Sequence, residues 1–409
     1  MRRRKETNEI NNEQKNPTAR KRKVNVKEEK RKIEFKKLDL NKINMDKKQI
    51  LKVGIIGLIV LLIILFANYT KVGIVFNKKI TDKNTIQVDL TTNKNSIYSY
   101  KNEVLIYSPG KLTTYNKHGK QTWSTTIEGI VGAKVSTAGK YIQVINEDKA
   151  LAYIYKDKYE CARIKVDGDI LSGTINEKGD SVIEYTSTGA KKTLAVYNKS
   201  GKLKYNVKLS NNIIGQYVLS DDSKYLAYID VNIQGISAAS TVNIVDFSKS
   251  SDNLNVEKIQ PETSDLIYDL TFNKNKLSYR LEKQVITYNL NNKTKKVSEM
   301  EKEGITNIDI DKSKFAYVVA NADGTYSFSI RKIGTQESKL VALREMPKSF
   351  EYTDGNVFVC YQKHIDVYNS MKMNIKQYES DMVIANTTVF NEGKSVAVLL
   401  SDKIVIFTI

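Results

Sequence analysis

A chain of 409 residues with 65 Lys and Arg against 46 Asp and Glu carries a formal charge of +19, with only two cysteines and four prolines. Two cysteines exclude a disulfide framework, and Cys161 and Cys360 stand in no metal-binding spacing. The charge is uneven: residues 1–52 hold 19 basic against 8 acidic side chains, so +11 of the +19 precedes or flanks the first apolar run.

Residues 1–49 are polar and basic, with clusters at Arg2-Arg-Arg-Lys5 and Arg20-Lys-Arg-Lys23. At ~100° per residue, Ile33, Phe35, Leu38, Leu40, Ile43 and Met45 scatter around a helical wheel instead of sharing a face. The segment reads as a disordered cytoplasmic tail whose charge sets topology. Binding of anionic lipid or nucleic acid is the sharper alternative, nucleic acid being the less expected partner.

Val53–Ala67 is fifteen residues without a charge. With its flanks it makes a segment over residues 50–69, which at ~1.5 Å per residue spans the ~30 Å hydrocarbon core. Lys52 is placed to reach the headgroups and Tyr69 to sit at the interface. No A-x-A cleavage site follows Ala67, so the span is expected to be a transmembrane signal anchor. The expected localisation is then the cell membrane, single-pass, with the N-terminus cytoplasmic and everything after Tyr69 outside. Residues 70–84 read as a linker.

From residue 85 the pattern is short alternating strands cut by polar turns. One turn type recurs at Ser136, Asn176, Ser220, Asn273, Asp311, Thr353 and Asn391, at steps of 40, 44, 53, 38, 42 and 38 residues. A second recurs at Tyr115-Asn116, Tyr197-Asn198, Tyr288-Asn289 and Tyr368-Asn369. A period near 40 with four strands per unit is the signature of propeller blades. The fold class expected for residues 85–409 is therefore all-β, a β-propeller, with eight blades favoured and seven the alternative because the unit at residues 231–262 is long. The last unit, 382–409, has only three strands, and the unassigned strand Thr85–Leu90 is expected to supply the fourth and close the ring.

Asn116-Lys-His-Gly-Lys-Gln-Thr-Trp123 resembles the turn-and-tryptophan motif of PQQ-type propeller repeats, and Asn198–Tyr205 is a weaker copy with Tyr205 in the Trp position. The first turns resemble those of TolB-like and WD40-like repeats. The layout also resembles a family of membrane-anchored propellers of low-GC Gram-positive bacteria. The resemblance covers residues 85–409 and is specific for architecture rather than activity.

The innermost strands alternate. Twelve of fourteen positions in one register are apolar and eleven of fourteen interleaved positions are polar. The polar register is expected to line a central channel, with Lys134, Gln216, Asp269, Asn307, Asp309 and Glu351 as candidates. A solvated channel needs polar walls in any case; a bound ligand or cation is the alternative. No catalytic motif is present, His118 and His364 read as surface residues, and the adjacent cysteine pair of quinoprotein enzymes is absent. No cofactor is expected. Asp309 and Glu351 on neighbouring blades are a candidate pair of hydrolase carboxylates, although any propeller offers some acidic pair.

The first and third turns of each blade share one rim, which carries lysines such as Lys274, Lys276, Lys312 and Lys314; these four are membrane-facing candidates. The blade-to-blade connections on the other rim carry Asp167, Asp169, Glu262, Asp265, Glu301, Glu303, Glu345, Glu379 and Asp381. The long turn Val231–Ser240 on that rim offers Ile233 and Ile236 as partner-binding candidates. The functional expectation is a non-enzymatic binding or scaffold module at the cell envelope. Its partners would be membrane lipid and a protein or cell-wall ligand. The alternatives are an envelope hydrolase, or a sensor signalling through the basic tail.

Overall fold

A computed structural model describes residues 77–79, 86–90 and 94–409, apart from 131, 211, 235–237, 249–254, 262–264, 301–303, 312, 336–339 and 370–373. The basic tail, the apolar run, Ile236 and Lys312 lie outside these residues. Among the described residues no helix is long and apolar enough to cross a membrane.

Eight antiparallel sheets follow one another along the chain, at residues 96–126, 134–165, 170–209, 213–259, 270–299, 305–343, 349–379 and 386–408. In each, strands lie in sequence order from the inner to the outer edge, and we number the blades 1 to 8. Blade 8 has three strands of its own, and Ile86–Asp89 is its fourth, antiparallel to Lys403–Thr408 with Ile86 opposite Ile406 and Asp89 opposite Lys403. The eight-blade count and the closing strand match the expectation from the turn spacing. The segment 70–84 contributes a strand too: Asn77–Lys79 pairs parallel with the outer strand of blade 7, Asn374–Glu379, and makes that sheet five-stranded.

The turns form because asparagine supplies its own cap. The Asn116 side-chain oxygen accepts the backbone N–H of His118 and Lys120, Asn176 that of Lys178 and Asp180, and Asn198 that of Ser200 and Lys202. Each turn then needs a residue at positive φ three positions on, supplied by Gly119, Gly179 and Gly201. At Gly179, φ +87°, a Cβ would also lie 2.5 Å from the Tyr141 ring, so the position admits no side chain on either ground.

The core is not one cluster but eight, one at each seam. Blades 1 and 2 meet through Leu105, Tyr107, Ile142, Val144 and Tyr155, and blades 4 and 5 through Ile229, Ile244, Leu277, Tyr279 and Ile286. The ring closes where Ile97, Val104 and Ile106 of blade 1 pack on Phe390, Leu399, Ile404 and Ile406 of blade 8. The motif aromatics work at these seams. Trp123 on the outer strand of blade 1 meets Tyr155 of blade 2 edge-on, with centroids 6.0 Å apart and planes at 66°. Tyr205 repeats this against Phe247 of blade 4, at 6.1 Å and 63°. Such pairs contribute about 0.5–1.5 kcal/mol beyond the apolar area they bury.

Cys161 lies on the outer strand of blade 2, Tyr159–Lys165, and Cys360 ends the second strand of blade 7, Asn356–Cys360; both are free.

Candidate functional site

The polar register of the inner strands faces the next blade. Lys134 Nζ donates to the Leu171 carbonyl of blade 3 at 2.5 Å. Ser136 Oγ accepts the Ile175 N–H at 3.3 Å. The Gln216 side-chain oxygen accepts the Leu270 N–H of blade 5, and Asp309 Oδ2 accepts the Tyr352 N–H of blade 7 at 2.8 Å. Glu351 accepts the Val389 N–H of blade 8. Four of the six residues singled out in this register thus stitch one inner strand to the next. The reason is geometric: a blade is a radial sheet, so both faces of its inner strand look at neighbouring blades. Only the unpaired backbone edge of that innermost strand borders the axis.

Lys134 and Gln216 remain exposed, whereas Asp269, Asn307, Asp309 and Glu351 are half-buried. Asp269 pairs within its own blade with Arg280 Nε at 2.5 Å, and that guanidinium lies 4.5 Å over the Tyr268 ring. Asn307 sits at a register shift between Ile305 and Asn307, where the ladder to the second strand of blade 6 is broken.

Asp309 and Glu351 are brought together across the seam of blades 6 and 7. Burial pushes the Glu351 carboxyl from its ordinary value up to about 7, the Asp309 charge adds to this, and the Val389 N–H opposes it. Asp309 is also raised, chiefly by burial, against the lowering effect of the Tyr352 and Ile310 N–H groups. Glu351 can therefore hold a proton near neutral pH. Each carboxylate is at the same time committed to a backbone N–H of the next blade, which ties the pair to the seam.

Other groups stand out only in three dimensions. Ser172 on the inner strand of blade 3 bridges Glu184 Oε2 at 2.7 Å and the Tyr217 hydroxyl of blade 4 at 2.5 Å, and Lys192 Nζ pairs with Glu184 at 2.8 Å. Arg331 on the third strand of blade 6 is only 3% exposed, and its guanidinium donates to the carbonyls of Glu299, at 2.6 Å, and Thr335. His364, expected at the surface, is half-buried and stacks on Tyr361 with centroids 4.2 Å apart, because the turn before it folds back onto the Tyr361 ring. Burial lowers its pKa. His118 is exposed in its turn.

The rims differ in kind. Ile213, Ile233, Tyr268, Met346 and Val383 are large hydrophobic residues exposed by 41–56%, and all five lie on the connection rim or at the strand end that opens from it. The other four large hydrophobics exposed among the described residues, Tyr159, Leu203, Val256 and Val297, lie on outermost strands. Lys274, Lys276 and Lys314 are exposed on the opposite, hairpin rim. There Lys101–Asp157, Lys224–Asp222 and Lys394–Glu392 are ion pairs that neutralise part of the basic charge.

Eight radially arranged four-stranded blades, joined by seam clusters and closed by a strand from the N-terminal side, define an eight-bladed β-propeller. Residues 72–409 match the family described as "Family of unknown function (DUF5711)", and the chain belongs to that family. No curated protein matches it. Among solved structures it is similar to BamB from Moraxella catarrhalis, at 12% identity and TM-score 0.53 over 80% of this chain and 97% of that one. It is similar also to the computationally designed Ika8 protein, at 12% identity and TM-score 0.56 over 78% and 98%. Sqt1 from Chaetomium thermophilum matches at 10% identity and TM-score 0.54 over 80% and 99%. These likenesses bear out the expected propeller fold.

Proposed function

We propose that the chain is a membrane-anchored, extracytoplasmic propeller that binds a protein or cell-envelope ligand on its connection rim and catalyses no reaction. The observation that carries this reading is the placement of Ile213, Ile233, Tyr268, Met346 and Val383. Water-exposed apolar side chains gathered on one rim are the mark of a contact surface, at roughly 25 cal/mol for each Å² of apolar area a partner covers. Arg280 stacked on Tyr268 and Glu345 beside Met346 supply a polar surround. The anchor reading rests on residues 50–69 and the basic flank before them. The strand Asn77–Lys79 runs parallel to the outer strand of blade 7, towards the connection rim, so the chain approaches it from the hairpin side. With the anchor upstream, this supports a hairpin rim turned to the bilayer and a connection rim turned away. The commitment of Asp309 and Glu351 to backbone N–H groups supports a structural rather than hydrolytic use of the pair.

The test places a photo-crosslinking residue at Met346, Val383 or, as control, Lys274 and Lys394 in intact cells. Discrete adducts of one mass at the first two positions, absent at the controls, are expected. Equal adducts on both rims, or none at Met346 and Val383, would overturn the assignment of the rim.

A further inference from the structure

We infer that the cleft between blades 5 and 6 on the hairpin rim is a binding site for a phosphate group. Its volume is about 300 Å³, and Lys276, Lys296 and Lys332 line it together with Asn289 and Asn292. Cross-strand register explains the convergence. Ser278, Thr287 and Lys296 stand opposite one another across blade 5, as do Lys276, Asn289 and Thr294, so both rows present the same face. That face looks at blade 6, where most seams place aliphatic residues. Here blade 5 gives the apolar cluster only Val285 and, from the connection that follows, Met300.

The polar groups left over are donors. Ser278 and Thr287 satisfy each other at 2.7 Å. The Asn289 side-chain oxygen already accepts the Asn291 N–H at 3.0 Å and the Asn275 amide at 3.1 Å. The Asn292 oxygen accepts the Thr294 N–H at 3.3 Å and the Thr294 hydroxyl at 2.7 Å. Both carboxamides keep only N–H hydrogens to offer a ligand. Among the described residues no carboxylate lines the cleft. A further cation, Arg331, is buried at the same seam beside Lys332, with its guanidinium 5.6 Å over the Phe315 ring and bonded to backbone carbonyls. Four positive groups gathered at one seam, with no neutralising acid among the described lining residues, repel one another and draw in an anion. A tetrahedral phosphate, mono- or diester, presents oxygens enough to accept from three ammonium groups and two amides at once. The ligand would be a lipid headgroup or a soluble phosphate ester. The inference does not depend on what the connection rim binds.

The experiment uses the full chain in a neutral maltoside detergent, titrated calorimetrically with inorganic phosphate and with glycerol phosphate. A single saturable, salt-sensitive site is expected. Each of Lys276→Gln, Lys296→Gln and Lys332→Gln should weaken it about fivefold, and the triple variant about a hundredfold. A control triple elsewhere on the same rim, Lys117→Gln with Lys199→Gln and Lys394→Gln, should bind as the parent does. The single variants keep the test valid should the triple fail to fold. A flat titration, or equal loss in both triples, overturns the site. Nanodiscs then separate the sources. If glycerol phosphate titrates the chain in phosphatidylcholine discs but not in discs with phosphatidylglycerol, the occupant is a headgroup. If it titrates in both alike, the occupant is a soluble ester.

Discussion

Asp309 on the inner strand of blade 6 accepts the backbone N–H of Tyr352 on the inner strand of blade 7 at 2.8 Å, and Glu351, one residue before Tyr352, feels its charge. A carboxylate that ties two blades together thereby makes it harder for the next carboxylate to ionise.

That coupling predicts a pH-dependent stability. The Glu351 carboxyl stands at about 7 in the folded protein against an ordinary 4.5. A raised pKa means that the folded state holds a proton the unfolded state releases. The stabilisation is complete below pH 4.5 and is lost as pH rises through 7. The shift corresponds to about 3 kcal/mol. Glu351→Gln keeps an oxygen for the Val389 N–H and cannot ionise, so it should stabilise the propeller at pH 8 and change little at pH 4.5. Urea unfolding at the two pH values measures this. Parallel pH profiles for parent and variant would refute it.

Trp123 is the only tryptophan in the chain, so its fluorescence reports on the seam of blades 1 and 2 without labelling. Trp123→Ala removes a half-buried ring from Tyr155 and should cost about 2–3 kcal/mol. Trp123→Tyr should cost under about 1 kcal/mol, because Tyr205 makes the same edge-on contact with Phe247. Denaturation followed by circular dichroism compares the variants. Equal losses for Ala and Tyr would show that ring contact is not what the position supplies.

The blade count was legible before the structure because turn chemistry is local: Asn116, Asn176 and Asn198 cap their own turns, and the first turns, from Ser136 to Asn391, recur once per blade. The closing strand was legible too, since blade 8 lacked an outer partner. The surroundings of the inner-strand polar residues were not. Period-2 alternation reveals that Asp309 and Ile310 point oppositely, but not that both directions meet another blade. Asn77–Lys79 carries no apolar signal at all, and no pattern in the sequence announces its pairing with the outer strand of blade 7. Lys296 and Lys332 come to one cleft only through the packing of two blades, which no spacing within either strand encodes. A lone arginine in the otherwise apolar and serine run Phe328-Ser-Ile-Arg331 was the one trace visible.

Closure by Ile86–Asp89 leads to a third expectation. Without it, the strand Lys403–Thr408 becomes a bare edge with unpaired N–H and C=O groups. Replacing residues 86–89 by Gly-Ser-Gly-Ser keeps chain length but weakens the pairing. The full chain so altered should unfold several degrees lower and show concentration-dependent oligomers by light scattering. An unchanged midpoint and a monodisperse profile would mean that the seam of blades 8 and 1 holds without its closing strand.

The two cysteines provide the last test, because they read folding and membrane side in one experiment. Cys161 is exposed on the outer strand of blade 2, where its thiol lies 3.4 Å from the Lys199 carbonyl. Cys360 is buried at 3% exposure, behind the inner strand of blade 7. Burial raises the pKa of both, so neither is expected to be a fast nucleophile at neutral pH. Access should then dominate: one maleimide per native chain, at Cys161, and a second only after denaturation. In intact cells a membrane-impermeant maleimide should modify Cys161 if the propeller is extracytoplasmic, and Cys161→Ser should abolish the label. Labelling that requires lysis would place the propeller on the cytoplasmic side. Labelling of Cys360 in the native chain would mean that blade 7 opens under native conditions.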